Sequence, residues 1–365
     1  MAFSCGFVGL PNVGKSTLFN SLTCGKAEAA NFPFCTIEPN TGVVAVPDER
    51  LQILATMHKS KKIVPATMKF IDIAGLVEGA SKGQGLGNQF LGHIRGVDAV
   101  AHIVRLFSDP DVVHVAGDTD PVRDMELILT ELILADLEAV DRHVERLGKK
   151  ARAGDKDTIK ELKLAERIKE SLDQGKIPRF EPEDPAAELV KAIGLISALP
   201  AFVCANIDEA SIATADELVA SSGLGAFAAS HGMEVIPVCA KLEEEINQLP
   251  LDERQAFLAE LGLKQSGLGR VIQTGYKLLS YLTFLTTGPD ETRAWTVTAG
   301  TKAPQAAGKI HSDMERGFIR MEVTSYADII QYGSEQDAKL AGKCRIEGKD
   351  YVMKDGDVVF VRFSV

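Results

Sequence analysis

The sequence has few features of secreted, membrane or nucleic-acid-coating proteins. Its six cysteines form no C-x-x-C pair, so neither a disulfide framework nor a zinc site is expected. Nowhere do about 18 apolar residues run uninterrupted. Lys and Arg number 40 against 51 Asp and Glu, and the net charge of -11 would repel a phosphate backbone on average. We therefore expect a soluble cytoplasmic protein that binds neither membrane nor DNA, while a local basic patch stays compatible with this charge.

What the sequence does contain is a globular composition, 45% hydrophobic and 25% charged, in a chain of 365 residues that is long enough for two or three domains. Helical spacing lies between several short apolar runs that resemble buried parallel strands, at 3–9, 42–46, 68–73, 99–107, 201–205 and 235–239. This alternation predicts an α/β fold with a doubly wound sheet and a ligand at the carboxyl ends of its strands.

Two regions of the chain depart from this alternation of strands and helices. Between about residues 121 and 200 the chain is rich in long charged helices, and a seam suited to helix pairing is formed by Ile133, Leu137, Val140, Val144 and Leu147. Further helical stretches follow at 158–172 and 186–199. We predict a helical hairpin inserted into the sheet domain, with ordinary covering helices as the alternative. From about residue 281, alternating strands at 293–298, 318–324 and 351–363 predict a small α+β domain.

The strongest functional motif is the segment Gly9-Leu10-Pro11-Asn12-Val13-Gly14-Lys15-Ser16, which matches G-x-x-x-x-G-K-[ST] between a predicted strand and a helix. In this context backbone N–H groups surround phosphate oxygens, and Lys15 reaches the β- and γ-phosphates. Ser16 is expected to ligate Mg²⁺. The predicted nucleotide-binding residues here are Asn12, Val13, Gly14, Lys15, Ser16 and Thr17. The motif predicts a Mg²⁺-dependent nucleoside triphosphatase.

Two downstream segments are expected to complete the metal and γ-phosphate site. Asp72 follows a predicted strand and would hold Mg²⁺ through water, and Gly75 of the same D-x-x-G motif would bring its backbone N–H to the γ-phosphate. Thr36 lies between the two motifs and is expected to offer its hydroxyl to Mg²⁺; a solvated loop threonine is the alternative. The glycine-rich segment 75–96 suits a switch that orders on the γ-phosphate, or an irregular loop.

The segment Asn206-Ile207-Asp208-Glu209 occupies the place of the guanine-binding N-K-x-D motif of GTPases. Ile207 replaces the lysine, and Glu209 replaces the aspartate with a side chain one methylene longer, so guanine-specific pairing should be lost or displaced. Adenine, with an N6 donor and an N1 acceptor, needs a different arrangement. Asn206, Ile207 and Glu209 are the predicted base-binding residues, and the segment weakens the case for GTP more than it establishes ATP.

The position after D-x-x-G also departs from many GTPases. It holds Leu76, which cannot orient an attacking water as glutamine does. Three candidates remain for orienting that water, namely main-chain groups of the glycine-rich segment, an ordered cation, and His114. For His114 a solvated loop histidine is the alternative.

Taken together, the motifs at 9–16, 32–40, 72–76 and 206–209, with Gly308-Lys309-Ile310-His311-Ser312-Asp313, resemble the YchF or Obg-like ATPase family over essentially the whole chain. The resemblance implies an OBG-type P-loop NTPase domain at 1–120 and 201–280. It also implies an inserted α-helical coiled-coil hairpin at 121–200 and a C-terminal TGS domain, a ubiquitin-like β-grasp, at 281–365.

The same resemblance implies activity and partners. Members prefer ATP to GTP, carry an apolar residue where Leu76 stands, and have a histidine at the position of His114 that is proposed to serve in hydrolysis. Asn12 matches the asparagine of potassium-stimulated members, so K⁺ is a candidate second cation beside Mg²⁺. Members bind the ribosome and modulate translation and stress responses; the expected partners are therefore ATP, with GTP weaker, and the large ribosomal subunit, with the chain a monomer. The rivals are a nucleotide-gated binding module with incidental hydrolysis and a GTPase of ribosome assembly.

Overall fold

The structure is a computed structural model, and it describes residues 3–23, 40–73, 91–109, 112, 118–152 and 154–364. The strands in chain order are β1 (Phe3–Val8), β2 (Thr41–Ala45), β3 (Lys62–Val64), β4 (Thr67–Asp72), β5 (Ala99–Arg105), β6 (Ala201–Asn206), β7 (Val235–Val238), β8 (Tyr281–Thr286), β9 (Glu291–Thr298), β10 (Phe318–Ser325), β11 (Arg345–Glu347) and β12 (Asp357–Phe363).

Helices connect most of these strands. They are α1 (Lys15–Thr23), α2 (Glu49–His58), α3 (Pro121–Ala151), α4 (Lys156–Asp173), α5 (Pro185–Ile193), α6 (Ala215–Ser221), α7 (Leu224–Ser230), α8 (Ala240–Gln248), α9 (Leu251–Glu260), α10 (Gly267–Leu278), α11 (Ala303–Ile310), α12 (Ser312–Arg316), α13 (Tyr326–Tyr332) and α14 (Glu335–Leu340). The described residues divide into two compact units, the first within 3–43 and 69–271 and the second within 44–68 and 272–364.

The sheet of the first unit has the strand order β2-β4-β1-β5-β6-β7, and β1, β5, β6 and β7 run parallel. All seven residues of β5 are buried, as expected of a strand covered on both faces. Strands β2 and β4 lie on one side of β1, and the strands from β5 onward lie on the other. The predicted doubly wound α/β fold is confirmed, and the carboxyl ends of β1 and β5 meet where the strand order reverses.

The predicted helical hairpin is confirmed as α3 and α4. The seam of α3 packs in one buried cluster with Ala165, Ile168 and Leu172 of α4. Helix α3 begins where Asp120 accepts hydrogen bonds from the backbone N–H groups of Val122 and Arg123, at 3.1 and 3.0 Å. The third predicted helix, over 186–199, is shorter than expected and corresponds to α5, which ends at Ile193.

The hairpin belongs to the first compact unit, although residues 121–200 were predicted as a separate domain inserted into the nucleotide-binding domain. Met125 and Leu129 of α3 pack with Val104 and Val203 of the sheet. Farther along α3, the fully buried carboxylate of Asp136 accepts hydrogen bonds from two backbone N–H groups of the segment after α5, at 2.9 and 2.8 Å. Burial raises the pKa of Asp136, and these hydrogen bonds oppose the rise. One half of α3 is therefore core of the sheet unit, and its other half pairs with α4.

The second unit is built on a mixed sheet in the order β11-β10-β12-β8-β9-β3. Its core joins Phe284, Met321 and Val323 of the sheet to Ala303 and Ala306 of α11, which confirms the α+β expectation. The predicted strand over 351–363 begins only at Asp357.

The later start of β12 has a local cause. The Asp357 carboxylate accepts hydrogen bonds from the Tyr351 hydroxyl at 2.8 Å and from the backbone N–H of Lys354 at 2.9 Å. Gly356 has a φ of 79°, which a turn accommodates and a strand does not. Partial burial and the Asp357 carboxylate raise the pKa of Tyr351 to about 12, so its hydroxyl remains a donor. The segment before β12 is therefore a turn fastened to Asp357.

Residues 44–68 belong to the second unit, although they were predicted in the nucleotide-binding domain. Strand β3 pairs in parallel with β9, from Lys62 opposite Glu291 onward. In the same unit the Arg50 guanidinium contacts Asp355 at 2.6 Å, and the second carboxylate oxygen of Asp355 accepts a hydrogen bond from the backbone N–H of Thr283 at 2.8 Å. The contacts of β3 and Arg50 join residues more than about 200 positions apart, so local sequence patterns could not reveal them.

Two remaining expectations concern composition. Cys5, Cys204 and Cys239 are buried free thiols, and Cys344 is a half-buried free thiol. Within the part of the chain that the structure describes, no helix has the length and apolar character needed to cross a bilayer.

Candidate functional site

The phosphate loop lies between β1 and α1, as predicted. Its backbone is left-handed at two positions, Asn12 with a φ of 64° and Gly14 with a φ of 87°. A Cβ atom on Gly14 would lie 2.2 Å from Nδ2 of Asn206, and one on Gly9 would lie 2.7 Å from the carbonyl oxygen of Ile103. Both glycines of the motif are thus required by close approach of neighbouring strands.

Three predicted polar groups meet at the end of this loop. Lys15 is the first residue of α1 and Asp72 is the last residue of β4. The Lys15 ammonium group forms an ion pair with Oδ1 of Asp72, and the Ser16 hydroxyl donates to Oδ2 of Asp72 at 3.3 Å. Lys15 is buried, with 9% of its surface exposed. An ammonium group, a hydroxyl and a carboxylate are therefore gathered beside the open turn of the loop.

A cavity of about 900 Å³ extends from this loop across the carboxyl ends of β5, β6 and β7. It is lined by Asn12, Gly14, Thr17, Phe107, Ser108, Asp109, Val112, Asn206, Ile207, Asp208, Glu209, Ala210, Cys239, Ala240 and Lys241. Its volume falls within the range of small-molecule sites. The phosphate loop and the predicted base-binding segment therefore line one cavity.

The end of the cavity away from the phosphate loop combines apolar and charged side chains. Ile207 and Cys239 are buried, with 4% and 5% of their surfaces exposed, and pack in a cluster with residues of α8 and α9. Burial raises the pKa of the Cys239 thiol, so Cys239 presents a neutral surface. Glu209 and Lys241 are exposed and bring opposite charges to the rim. This end suits a planar, partly apolar group with polar edges.

Asn206 has a structural position that the sequence did not indicate. Its side-chain Nδ2 donates to the carbonyl oxygen of Val13 at 2.9 Å, and its Oδ1 accepts from the backbone N–H of Ala240 at 3.1 Å. Only 3% of Asn206 is exposed. The side chain thus joins the phosphate loop to the start of α8, and its two ends hydrogen-bond to the main chain.

Phe107, Ser108 and Asp109 line the cavity. None of the three was among the predicted site residues, because the apolar run through Phe107 predicts a strand. Strand β5 ends at Arg105, and the chain then turns along the cavity wall. One signal was available in the sequence. Arg105 is a charged residue near the end of a largely apolar run, and a buried arginine requires partners that hold the chain around it.

Three predicted site residues, Thr36, Gly75 and His114, lie outside the described residues. Among the residues described, no group of three or more His, Cys, Asp or Glu side chains is arranged to hold a metal ion. The oxygen donors of Ser16 and Asp72 are of the kind that Mg²⁺ prefers, and Mg²⁺ is commonly held by one or two protein groups together with phosphates and water. The residues present therefore fit Mg²⁺ bound with a nucleotide.

Comparison with known proteins agrees with this geometry. A family model described as 50S ribosome-binding GTPase matches residues 4–150, and the YchF-GTPase C-terminal model, described as a protein of unknown function, matches residues 281–364. Relatives named ribosome-binding ATPase YchF, from Bacillus subtilis strain 168 and Escherichia coli O157:H7, are each 50% identical over 368 residues and cover 100% of both chains. The solved structure of the Schizosaccharomyces pombe YchF GTPase is 36% identical, covers 99% of this chain and 97% of its own, and superposes with a TM-score of 0.85.

Proposed function

This chain belongs to the YchF family, and from that membership and the geometry of the phosphate loop we propose that it binds ATP with Mg²⁺ and hydrolyses it to ADP and phosphate. The observation that carries the proposal is the meeting of Lys15, Ser16 and Asp72 at the phosphate loop, whose neighbouring residues Asn12, Gly14 and Thr17 line the 900 Å³ cavity. A triphosphate on the loop would leave its base in the part of the cavity lined by 206–210 and 239–241.

Each residue at the phosphate end has a distinct role in this proposal. Backbone N–H groups of residues 12–17 and the N-terminus of α1 bind the phosphate oxygens, and the Lys15 ammonium group stabilises the negative charge that develops on them. Gly75 would contribute a backbone N–H to the γ-phosphate, and His114 would orient the attacking water. These two roles rest on the sequence motifs and the family resemblance.

Ser16 and Asp72 would hold Mg²⁺, the carboxylate through water, and Thr36 would add a hydroxyl. When bound, Mg²⁺ supplies positive charge to the β- and γ-phosphates and orients them. We further propose K⁺ as a second cation near Asn12, on the strength of the phosphate-loop asparagine. Asn12 lies in the left-handed region, and its side chain is exposed.

The base end favours adenine over guanine. Guanine recognition in N-K-x-D proteins requires a lysine and a correctly placed aspartate, and Ile207 and Glu209 stand in their places. Ile207 is packed in the core cluster and offers only apolar surface to the cavity. These substitutions weaken the case for GTP, and together with the family resemblance they support ATP as the preferred nucleotide, with GTP weaker.

Titration of the purified protein with ATP and GTP in the presence of Mg²⁺ tests this preference. We expect ATP to bind about tenfold more tightly than GTP or better, because a base whose polar edge lacks partners loses affinity. Glu209→Asp restores the motif's aspartate at an exposed position, and we expect it to lower the ratio of ATP to GTP affinity. GTP binding as tight as ATP binding by the unmodified protein would favour a GTPase, an interpretation that the description of the matched N-terminal family model also supports.

A second candidate function is a nucleotide-gated ribosome-binding module in which hydrolysis is incidental. Leu76 favours it, because P-loop sites that lack a water-orienting glutamine can be very slow. The partner in either case is the ribosome, after the names of the relatives, and specifically the large subunit, after the description of the matched N-terminal model. We also propose that the protein is a cytoplasmic monomer that modulates translation or stress responses and contacts neither membrane nor DNA. A ribosomal partner agrees with these properties.

Domain roles follow the same proposal. We assign nucleotide binding to those parts of residues 1–120 and 201–280 that belong to the first unit, partner contact to the hairpin at 121–200, and a TGS-type β-grasp to 281–365. The mixed sheet with α11 packed on one face supports the last assignment.

The hairpin tip gives a direct test of ribosome contact. Lys149, Lys150 and Arg152 are exposed there, and reversing all three to glutamate is expected to weaken ribosome co-sedimentation about tenfold or more, since each lost phosphate contact lowers affinity. The matched control reverses Lys61, Lys62 and Lys349, which are also exposed and belong to the second unit. Ribosome binding by the tip variant that is unchanged from the unmodified protein would count against the tip as a contact. Binding that is identical with ATP, ADP and no nucleotide would argue against gating.

A further inference from the structure

Arg105 is a buried cation in the first unit for which the proposed chemistry has no use. It is the last residue of β5, only 3% of its surface is exposed, and it lies opposite Asn206 in the parallel pairing of β5 with β6. Burying a guanidinium group is costly unless its donors are satisfied. The partners of Arg105 therefore indicate what its burial achieves.

The guanidinium donates hydrogen bonds to three main-chain carbonyl oxygens of the segment that follows β5. Nε donates to Phe107 at 3.1 Å, Nη2 to Asp109 at 3.2 Å and Nη1 to Val112 at 2.8 Å. The planar guanidinium fork presents several donors in fixed directions, whereas a lysine ammonium group has a single centre. The fork thus holds the carbonyl groups of Phe107, Asp109 and Val112 around one side chain.

The same segment is a wall of the nucleotide cavity, since Phe107, Asp109 and Val112 all line it. The Arg105 guanidinium also lies over the Phe107 ring, with Cζ 4.3 Å from the ring centroid. Phe107 is half-buried, so its ring is supported from the Arg105 side and also contributes to the cavity surface. Arg105 therefore holds both the backbone and the aromatic ring of this wall.

We propose that Arg105 is a positioning residue for the nucleotide base: it pre-forms the cavity wall, with Phe107 as an aromatic surface for the purine. The proposal rests on the proposed nucleotide-binding function and adds a determinant that acts on the base rather than on the phosphates. Without the guanidinium fork, nucleotide binding would itself have to order Phe107, Asp109 and Val112, and the entropy cost of that ordering would reduce the affinity for ATP. The phosphate loop would be unaffected, because none of the three carbonyl groups belongs to it.

The test compares ATP with inorganic tripolyphosphate, which has the phosphates of ATP but no base. We expect Arg105→Lys to weaken ATP binding about tenfold or more and to leave tripolyphosphate binding within about twofold, because aromatic stacking and wall order concern only the base. In steady-state assays the KM for ATP should rise while kcat at saturation stays within about threefold. Arg142→Lys, on the exposed face of α3, is the matched control and should change neither affinity.

Phe107→Ala is the second variant, should Arg105→Lys not fold. It is expected to show the same selective loss of ATP over tripolyphosphate, with a thermal transition close to that of the unmodified protein. An equal loss of both ligands, or no loss of either, in the folded variants would overturn the role of Arg105 and leave the proposed function standing. If the unmodified protein binds neither ATP nor tripolyphosphate, the proposed function itself fails.

Discussion

Replacing Lys15 with alanine is expected to reduce the rate of ATP hydrolysis by about two to three orders of magnitude, since it removes a preorganised cation from the transferring phosphoryl group. In the structure the Lys15 ammonium group is buried and paired with Asp72, at the point where β4 and the phosphate loop meet. Single-turnover measurement of phosphate release with saturating ATP and Mg²⁺ gives the chemical step directly. Near-normal turnover by this variant would reject the site assignment.

Two controls keep the Lys15 result interpretable. Lys309→Ala removes an exposed lysine of α11 in the second unit and should leave the rate unchanged. A thermal melt shows whether Lys15→Ala is still folded, which has to be checked because the variant leaves Asp72 without its Lys15 ion-pair partner. Ribosome co-sedimentation of the same variant distinguishes the two candidate functions. If Lys15→Ala hydrolyses ATP slowly but still binds the ribosome in an ATP-dependent way, the main role is nucleotide-gated binding and hydrolysis is incidental.

Replacing Asn206 with alanine is expected to lower the free energy of unfolding by about 2–4 kcal/mol, because it leaves a buried carbonyl group and a buried N–H group without their partner. The carbonyl belongs to Val13 of the phosphate loop, and the N–H belongs to Ala240. A loosened loop should bind all triphosphates less well, so affinities for ATP, GTP and tripolyphosphate should fall together by about tenfold or more. Denaturant unfolding and calorimetric titration measure the two effects.

The pattern across ligands decides what Asn206 does. A residue that contacts the base would change the preference between ATP and GTP and spare tripolyphosphate, which has no base. Asn206→Asp is the informative companion variant, because a carboxylate can still accept from the backbone N–H of Ala240 and cannot donate to the Val13 carbonyl. Behaviour close to the unmodified protein assigns the effect to the bond with Ala240. A loss as large as that of the alanine variant shows that a neutral donor is required beside the Val13 carbonyl, because the carboxylate both lacks the donor and adds a buried charge.

Asn206 and Arg105 therefore support different parts of one cavity from neighbouring strand ends. Asn206 joins the phosphate loop to α8, and Arg105 shapes the segment after β5. The two predictions differ in a measurable way, since loss of Asn206 should weaken every phosphate ligand and loss of the Arg105 fork should weaken only ligands that carry a base. Tripolyphosphate is the ligand that distinguishes them.

Several features of the site could be predicted from local sequence with little error. The phosphate loop is eight consecutive residues between a strand and a helix, so its backbone conformation and its ligand are encoded within one short segment. Asp72 was predicted at the end of a strand and lies there, beside Lys15 and Ser16. The seam of α3 was predicted from its spacing and packs against α4. Each of these depends on periodicity or on neighbours in the chain.

Other features depend on residues that are distant in sequence. Asn206 was predicted as a base contact from its motif, and its side chain is bonded to Val13, 193 positions away. Residues 99–107 were predicted as one strand, but the strand ends at Arg105. The Arg105 guanidinium donates hydrogen bonds to three carbonyl groups of the following residues, which line the cavity. Residues 44–68 were predicted in the nucleotide-binding domain, and pairing of β3 with β9 places them in the second unit.

By itself the sequence determined that this protein has a P-loop, a doubly wound sheet and a helical hairpin, because each is specified by the order and spacing of nearby residues. Only the tertiary structure decided which side chains hold the loops of the cavity and where the second unit begins. The physical reason is that buried polar groups such as Asn206 and Arg105 take whichever partners the packed strands bring to them, and those partners are chosen by three-dimensional proximity rather than by position in the chain.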